Sequence, residues 1–285
     1  MMVIGTVKEL QKEIRELQLE PVGFVPTMGA LHDGHLSLVA AATDQCPVVV
    51  VGIYVNPTQF NDKNDLRNYP RMIDADVKLL QKVLRNRDIV FTPDDKEIYP
   101  AEDKRKFHFG NLDLVMEAMH RPGHFNGVAQ VVSRLFDIVK PNIAFFGMKD
   151  FQQLAVIKEL VRQTASKVKI TGCPIIREKD GLAMSSRNTL LEPDIRKNAP
   201  VIFRTISTAS SMITEYDIAE IKSYVKETIN KIPGFDVEYY DIADDTELIP
   251  VTVKSEMKPG RRYFGCIAVK AGRIRLIDNV EIELV

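Results

Sequence analysis

Short runs of β-branched and aromatic residues alternate with amphipathic stretches from Val22 to Pro174, and that alternation constrains the fold more than any other feature. Val22 to Val25, Val48 to Val55, Ile89 to Phe91, Ile143 to Phe146 and Val168 to Gly172 read as strands apolar enough to be covered on both faces. Between them, Leu36 to Asp44, Ile73 to Arg85, Asn126 to Lys140 and Phe151 to Arg162 have helical spacing. Strands alternating with helices predict an α/β domain with a mainly parallel sheet. In such sheets ligands gather beyond the carboxyl ends of the strands.

The texture changes after Asn188. Ile195 to Ile213 and Ile218 to Ile232 read as helices, followed by strand-like runs at Val237 to Ile242, Tyr263 to Val269 and Arg273 to Asp278. Lys270-Ala271-Gly272 is a hairpin signal between the last two. We therefore expect domains at 1–174 and 175–285, the second a smaller α+β domain. The first twenty residues carry Val7, Leu10, Ile14 and Leu17 at helical spacing and lack a signal-peptide apolar core. No apolar run approaches the roughly 20 residues that span a bilayer. Cys46, Cys173 and Cys266 stand singly, which suits a reducing compartment. The expectation is a soluble cytoplasmic protein. With 38 basic and 39 acidic residues, the chain has no global pull toward nucleic acid or anionic membrane.

Chemistry concentrates first in Pro26-Thr27-Met28-Gly29-Ala30-Leu31-His32-Asp33-Gly34-His35, between a strand and a helix. The first amides of a helix lack intrahelical partners and lie at its positive end, so they attract anions. Gly29 and Gly34 allow close approach of a ligand to the backbone. A helix opening at Asp33 or Gly34 projects His32 and His35 from its first turn, where their rings can donate to a phosphoryl group. By itself the pair is equally two surface histidines. Half of a metal site is the other alternative, but five histidines and three separated cysteines make a poor ligand set.

Four further segments lie where a strand or turn gives way to a loop or helix. In Asn56-Pro57-Thr58-Gln59-Phe60, Pro57 halts regular structure and Gln59 offers both a donor and an acceptor. Arg121-Pro122-Gly123-His124-Phe125-Asn126-Gly127-Val128 either helps close over a ligand or is a helix start capped by Asn126. Phe146-Gly147-Met148-Lys149-Asp150-Phe151-Gln152-Gln153 places a mobile positive charge, Lys149, at a strand-to-helix junction. Asp180-Gly181-Leu182-Ala183-Met184-Ser185-Ser186-Arg187-Asn188 sets two hydroxyls and a guanidinium, good polyphosphate ligands, near the expected domain boundary. Each segment has an ordinary structural reading, and together they are far more specific.

In this order, over nearly the whole chain, these motifs resemble the pantothenate synthetase family, also called pantoate–β-alanine ligases. The resemblance places the chain in the nucleotidyltransferase superfamily that shares its fold with class I aminoacyl-tRNA synthetases. His32-Asp33-Gly34-His35 resembles the His-Ile-Gly-His signature, and Met184-Ser185-Ser186-Arg187 stands in for the Lys-Met-Ser-Lys-Ser loop. It implies a Rossmann-like N-terminal domain, 1–174, that binds nucleotide and pantoate, and a lid domain, 175–285. It implies ATP-dependent condensation of pantoate with β-alanine through a pantoyl adenylate, yielding pantothenate, AMP and pyrophosphate. Carried over by motif position, ATP is held by Met28, Gly29, Ala30, Leu31, His32, Asp33, Gly34, His35, Gly147, Met148, Lys149, Asp150, Ile176, Met184, Ser185, Ser186 and Arg187. His35 acts as general acid or phosphate stabiliser, with His32 beside it; Lys149 and Arg187 offset phosphate charge. Gln59 and Gln153 grip pantoate, and Gln59 also lies near the β-alanine site. Magnesium is expected with ATP, held by phosphates and water rather than by protein ligands. A homodimer is implied too, pairing through the N-terminal domain.

The chain departs from the common family pattern twice. Met148 replaces the usual Glu of Gly-Glu-Lys-Asp, removing a carboxylate, and Asp33 replaces a Glu while keeping its charge. Other classes fit less well. A different nucleotidyltransferase shares the histidine turn but does not need Asn56 to Phe60 with both glutamines. A tRNA synthetase needs a larger chain and an electropositive tRNA surface. No Gly-x-x-x-x-Gly-Lys-[Ser/Thr] loop is present, as a P-loop ATPase requires. A binding module without catalysis could not release AMP from ATP.

Overall fold

The computed structural model describes residues 1–60 and 63–283. Its elements in chain order are β1 (Met2–Ile4), α1 (Val7–Leu17), β2 (Val22–Thr27), α2 (Asp33–Gln45), β3 (Val48–Ile53), α3 (Lys63–Asn68), α4 (Ile73–Leu80), β4 (Ile89–Phe91), α5 (Asp95–Ile98), α6 (Glu117–His120), α7 (His124–Val139), β5 (Ile143–Gly147), α8 (Phe151–Gln163), β6 (Lys169–Cys173), α9 (Pro193–Asn198), α10 (Val201–Ser211), α11 (Ile218–Asn230), β7 (Phe235–Asp244), β8 (Tyr263–Ala271) and β9 (Ile274–Glu281). The chain forms two compact units. One comprises 1–109, 121–148 and 156–174, the other 110–120, 149–155 and 175–285.

In the first unit a six-stranded sheet runs β1-β4-β3-β2-β5-β6, with every pairing parallel. The five strands expected from the apolar runs are all present. All six residues of β3 are buried, which its unbroken Val-rich sequence required. On one face Val25, Val49, Val51 and Val90 pack against Leu38, Val39 and Ala42 of α2 and Leu80 of α4. Alternation puts Phe24 on the opposite face, where its ring meets Phe136 of α7 edge-on at 6.4 Å. Each such fully buried side chain contributes about 1.5–3 kcal/mol.

The chain leaves β2 toward β3 on one side, and β5 pairs with β2 on the other. That reversal of strand order is the switch point where open α/β sheets bind ligands. The carboxyl ends there are Thr27 of β2 and Gly147 of β5.

The second unit holds an antiparallel sheet, β7-β8-β9. Ile202, Ile206 and Ala209 of α10 and Ile221, Val225 and Ile229 of α11 share its buried cluster with Val237, Ile267 and Leu276 of the strands. The architecture is thus the expected parallel α/β sheet with a smaller α+β unit.

Local expectations needed adjustment. β1 is additional; three residues are too few to show a period. The stretch Ile195 to Ile213 is two helices, because Pro200 has no N–H to continue α9. The β8–β9 turn is Gly272-Arg273, with Ala271 opposite Ile274, so Lys270 and Ala271 belong to β8. Gly272 has φ 60°, the sign a two-residue hairpin turn demands. Asn126 does not cap α7: the helix opens at His124, and Asn126 Oδ1 accepts from the Phe107 amide at 2.9 Å. No helix among the described residues is long and apolar enough to cross a membrane.

Candidate active site

The turn leaving β2 is set by its backbone and by one buried carboxylate. Gly29 has φ 78° and Ala30 has φ 50°, so two successive residues occupy the left-handed region that side chains resist. Asp76 of α4, 3% exposed, offsets that cost. Its Oδ2 accepts from the Ala30 amide at 3.0 Å and its Oδ1 from the Leu31 amide at 2.7 Å. A Cβ on Gly29 would lie 2.9 Å from Asp76 Oδ2, so the glycine is also a packing requirement. Burial pushes the Asp76 carboxyl above its ordinary value, while the two amides pull it down.

The helix that follows begins at Asp33, with His32 as its N-cap. His32 Nδ1 accepts from the Gly34 amide at 3.2 Å, and His35 Nδ1 accepts from the His32 amide at 3.3 Å. The rings lie with centroids 4.1 Å apart, tilted by 43°. A nitrogen that accepts carries no proton, so each ring holds its N–H at Nε2. The amides of Ala30, Leu31, His32 and Gly34 thus all have acceptors within the chain. The helix start thus carries two imidazoles, each with its proton on Nε2.

Gln59 ends a 3-10 turn, Pro57–Gln59, that follows β3. Its Nε2 lies 2.8 Å from Met28 Sδ, which brings the two turns together side chain to side chain. Asn56, 1% exposed, caps the start of this turn. Its Nδ2 donates to Thr58 Oγ1 at 3.0 Å and to the Gly127 carbonyl at 3.2 Å, and its Oδ1 accepts from Tyr99 Oη at 3.2 Å. Beyond β5, the Met148 amide donates to the Cys173 carbonyl at 2.8 Å, continuing the β5–β6 ladder past Gly147.

The remaining sequence-nominated residues lie in the second unit. Lys149 and Gln153 are half-buried and Asp150 is exposed at the start of α8. The Lys149 carbonyl accepts from Asn279 Nδ2 at 3.2 Å. Ile176 and Met184 pair through the Met184 amide and the Ile176 carbonyl at 3.0 Å, closing a small loop. Arg177 braces that loop, donating to Asp278 at 2.6 and 2.9 Å with its guanidinium 3.6 Å from the Phe203 ring centroid. Burial raises the pKa of Asp278 and Arg177 pulls it back. Arg196 grips Glu178 and Asp180 on the same loop. Ser185 Oγ accepts from the Arg187 amide at 3.3 Å, and Asn188 Nδ2 donates to Glu178 Oε1 at 2.6 Å and the Ala183 carbonyl at 3.0 Å. Met184, Ser185, Ser186 and Arg187 are thereby presented, half-buried, on a fastened loop.

Sequence reading missed Asp76, for which nothing local gives a signal. It also passed over Asn56 and His124, although both lie inside motifs it had singled out. No group of three or more His, Cys, Asp or Glu among the described residues could hold a metal ion.

A family model described as pantoate-beta-alanine ligase matches residues 2–281. A pantothenate synthetase of Bacteroides thetaiotaomicron is 48% identical over 283 residues, 99% of each chain. One of Azobacteroides pseudotrichonymphae is 51% identical over 283 residues, 98% of this chain and 99% of its own. Among solved structures, a pantothenate synthetase from Thermus thermophilus matches with TM-score 0.89 at 39% identity, covering 100% of both chains. A pantoate-beta-alanine ligase from Francisella tularensis, complexed with beta-gamma ATP and beta-alanine, matches with TM-score 0.79 at 33% identity over 100% of this chain and 99% of its own.

Proposed function

We infer the roles of individual residues from one premise: the chain belongs to the pantoate–β-alanine ligase family. It is an ATP-dependent ligase that condenses pantoate with β-alanine to give pantothenate, AMP and pyrophosphate. A pantoate carboxylate oxygen attacks the α-phosphorus of ATP, and the bond to the β-phosphate oxygen breaks as pyrophosphate leaves. The β-alanine nitrogen then attacks the acyl carbon of the pantoyl adenylate, AMP departs, and the proton lost from nitrogen passes to solvent. Neither step needs a protein nucleophile, so the chain's part is positioning and charge stabilisation.

In our assignment His35 and His32 donate from Nε2 to phosphate oxygens as charge moves onto pyrophosphate. What supports this is the pair of Nδ1 acceptor bonds, which leave Nε2 as the donor on both rings at the mouth of the β2–β5 switch point. Met28 to His35, Gly147 to Asp150, Ile176 and Met184 to Arg187 form the ATP site, with Lys149 and Arg187 offsetting phosphate charge. Gln59 and Gln153 bind pantoate, Gln59 close to β-alanine. The nucleotide and pantoate belong to 1–174, and 175–285 is the lid. Mg²⁺ arrives as the companion of ATP, held on phosphate oxygens and water, the ligands this hard cation prefers. We also assign the protein to the cytoplasm and to a homodimer formed through its N-terminal domain.

The deciding experiment is exchange of labelled pyrophosphate into ATP with pantoate present and β-alanine absent. Pantoate-dependent exchange, followed by AMP and pantothenate on adding β-alanine, is the expected outcome. ATP binding without exchange would move the protein to a nucleotidyltransferase of other specificity.

A further inference from the structure

Gln59 acts on substrate only if its turn is held, and the first turn of α7 does the holding. His124, 5% exposed, has Nδ1 at 2.8 Å from the Gln59 carbonyl oxygen. A carbonyl oxygen only accepts, so Nδ1 carries the proton and donates. Three residues on, a Cβ at Gly127 would fall 2.5 Å from the Thr58 carbonyl oxygen and 3.0 Å from Gln59 Cα. The helix backbone therefore lies directly against the Pro57–Gln59 turn. The Gly127 carbonyl in turn accepts from Asn56 Nδ2 at 3.2 Å, closing a loop of contacts from helix to turn and back. On the far side, the Gln59 amide meets Met28 Sδ at 2.8 Å. The side chain that faces substrate is thus fixed at its backbone by a buried histidine and at its tip by the ATP-binding turn.

We propose that His124 is a positioning residue for the acid substrate: its Nδ1–H holds the Gln59 carbonyl, and so sets the aim of the Gln59 amide toward pantoate. The proposal rests on the assignment of Gln59 to pantoate. It makes His124 a determinant of pantoate affinity rather than of the adenylation step, because no atom of His124 is assigned to ATP. A histidine that merely fills the core is the competing account, and the two differ in what substitution does to folded enzyme.

His124→Asn places an amide N–H near the position of Nδ1, whereas His124→Gln places its amide near Nε2, and His124→Leu keeps the bulk without a donor. The expected result in pantoate-dependent pyrophosphate exchange is a pantoate KM raised about tenfold, the worth of one net hydrogen bond, in His124→Leu and His124→Gln. The KM for ATP and kcat should change by less than about threefold, and His124→Asn should recover most of the pantoate affinity. Should His124→Leu fail to fold, the contrast of His124→Asn with His124→Gln carries the test. Equal pantoate KM values in all folded variants, with only thermal stability altered, would overturn the proposal. Gln59→Ala is measured alongside. An unchanged pantoate KM there would overturn the Gln59 assignment itself, while a raised KM there with normal His124 variants would overturn only the positioning role.

Discussion

The Met28–His35 turn and the loop that carries Ile176 and Met184 to Arg187 both hold residues expected to contact nucleotide, yet they are built by opposite means. The first is held by neutral amides turned inward onto Asp76 and onto the rings of His32 and His35. The second is held by ion pairs between residues far apart in sequence, Arg177 with Asp278 across 101 positions above all. With the amides of Ala30, Leu31, His32 and Gly34 already engaged, this turn meets a phosphate chiefly through its side chains. A loop fastened by its flanking arginines can dedicate the next stretch, Met184 to Arg187, to a ligand. A buried carboxylate and two imidazoles accepting from amides therefore hold the first, and ion pairs the second.

The sharpest way to break that contrast is His35→Ala. If imidazole donors carry the first turn, pantoate-dependent pyrophosphate exchange should fall roughly a hundred- to a thousandfold, the usual cost of one lost transition-state donor. Near-normal exchange would return the role to the backbone. Next in size is Asp278→Ala, which removes a carboxylate only 3% exposed on its side chain and leaves Arg177 without its partner. Stability should drop by about 3 kcal/mol, the low end for a broken buried pair because Arg177 keeps its stacking on Phe203. Urea unfolding measures it, and a loss within error would mean that the second loop is not charge-braced.

The smallest effect is a pH slope at Asp76. Its folded pKa lies above the unfolded value because burial penalises the carboxylate. On acidification the folded residue takes up its proton first, so its contribution favours the native state as pH falls and is lost as pH rises through the folded pKa. Asp76→Asn cannot titrate there. Wild-type stability relative to this variant should therefore grow as pH falls through the folded pKa, then level off below the ordinary Asp pKa of about 4. A flat or opposite difference would remove Asp76 as the buried anchor.

Two adjacent glutamines show where reading the sequence stopped. Gln152 and Gln153 carry the same chemistry, and nothing local separates them. Packing does: Gln152 is 4% exposed, accepting from the Glu117 amide at 2.9 Å and donating to the carbonyls of Leu112 and Val115 at 2.8 and 3.0 Å. Gln153 stays half-buried. The nomination of Gln153 came from family resemblance, and burial explains why its neighbour is otherwise engaged. Short helices such as Asp95–Ile98 and Glu117–His120 escaped for a related reason, since four residues show barely one turn of any period.

By itself the sequence determined the parallel strands, the flanking helices and the motif turns, because burial periodicity and turn chemistry act over a few residues and leave local marks. It also determined the family, through motifs in fixed order. Only the tertiary structure decided which polar groups those turns spend on themselves. Asp76 reaches Ala30 across 46 positions and His124 reaches Gln59 across 65. A hydrogen bond between segments distant in the chain leaves no periodic trace in either, so it becomes visible only when packing brings donor and acceptor within about 3 Å.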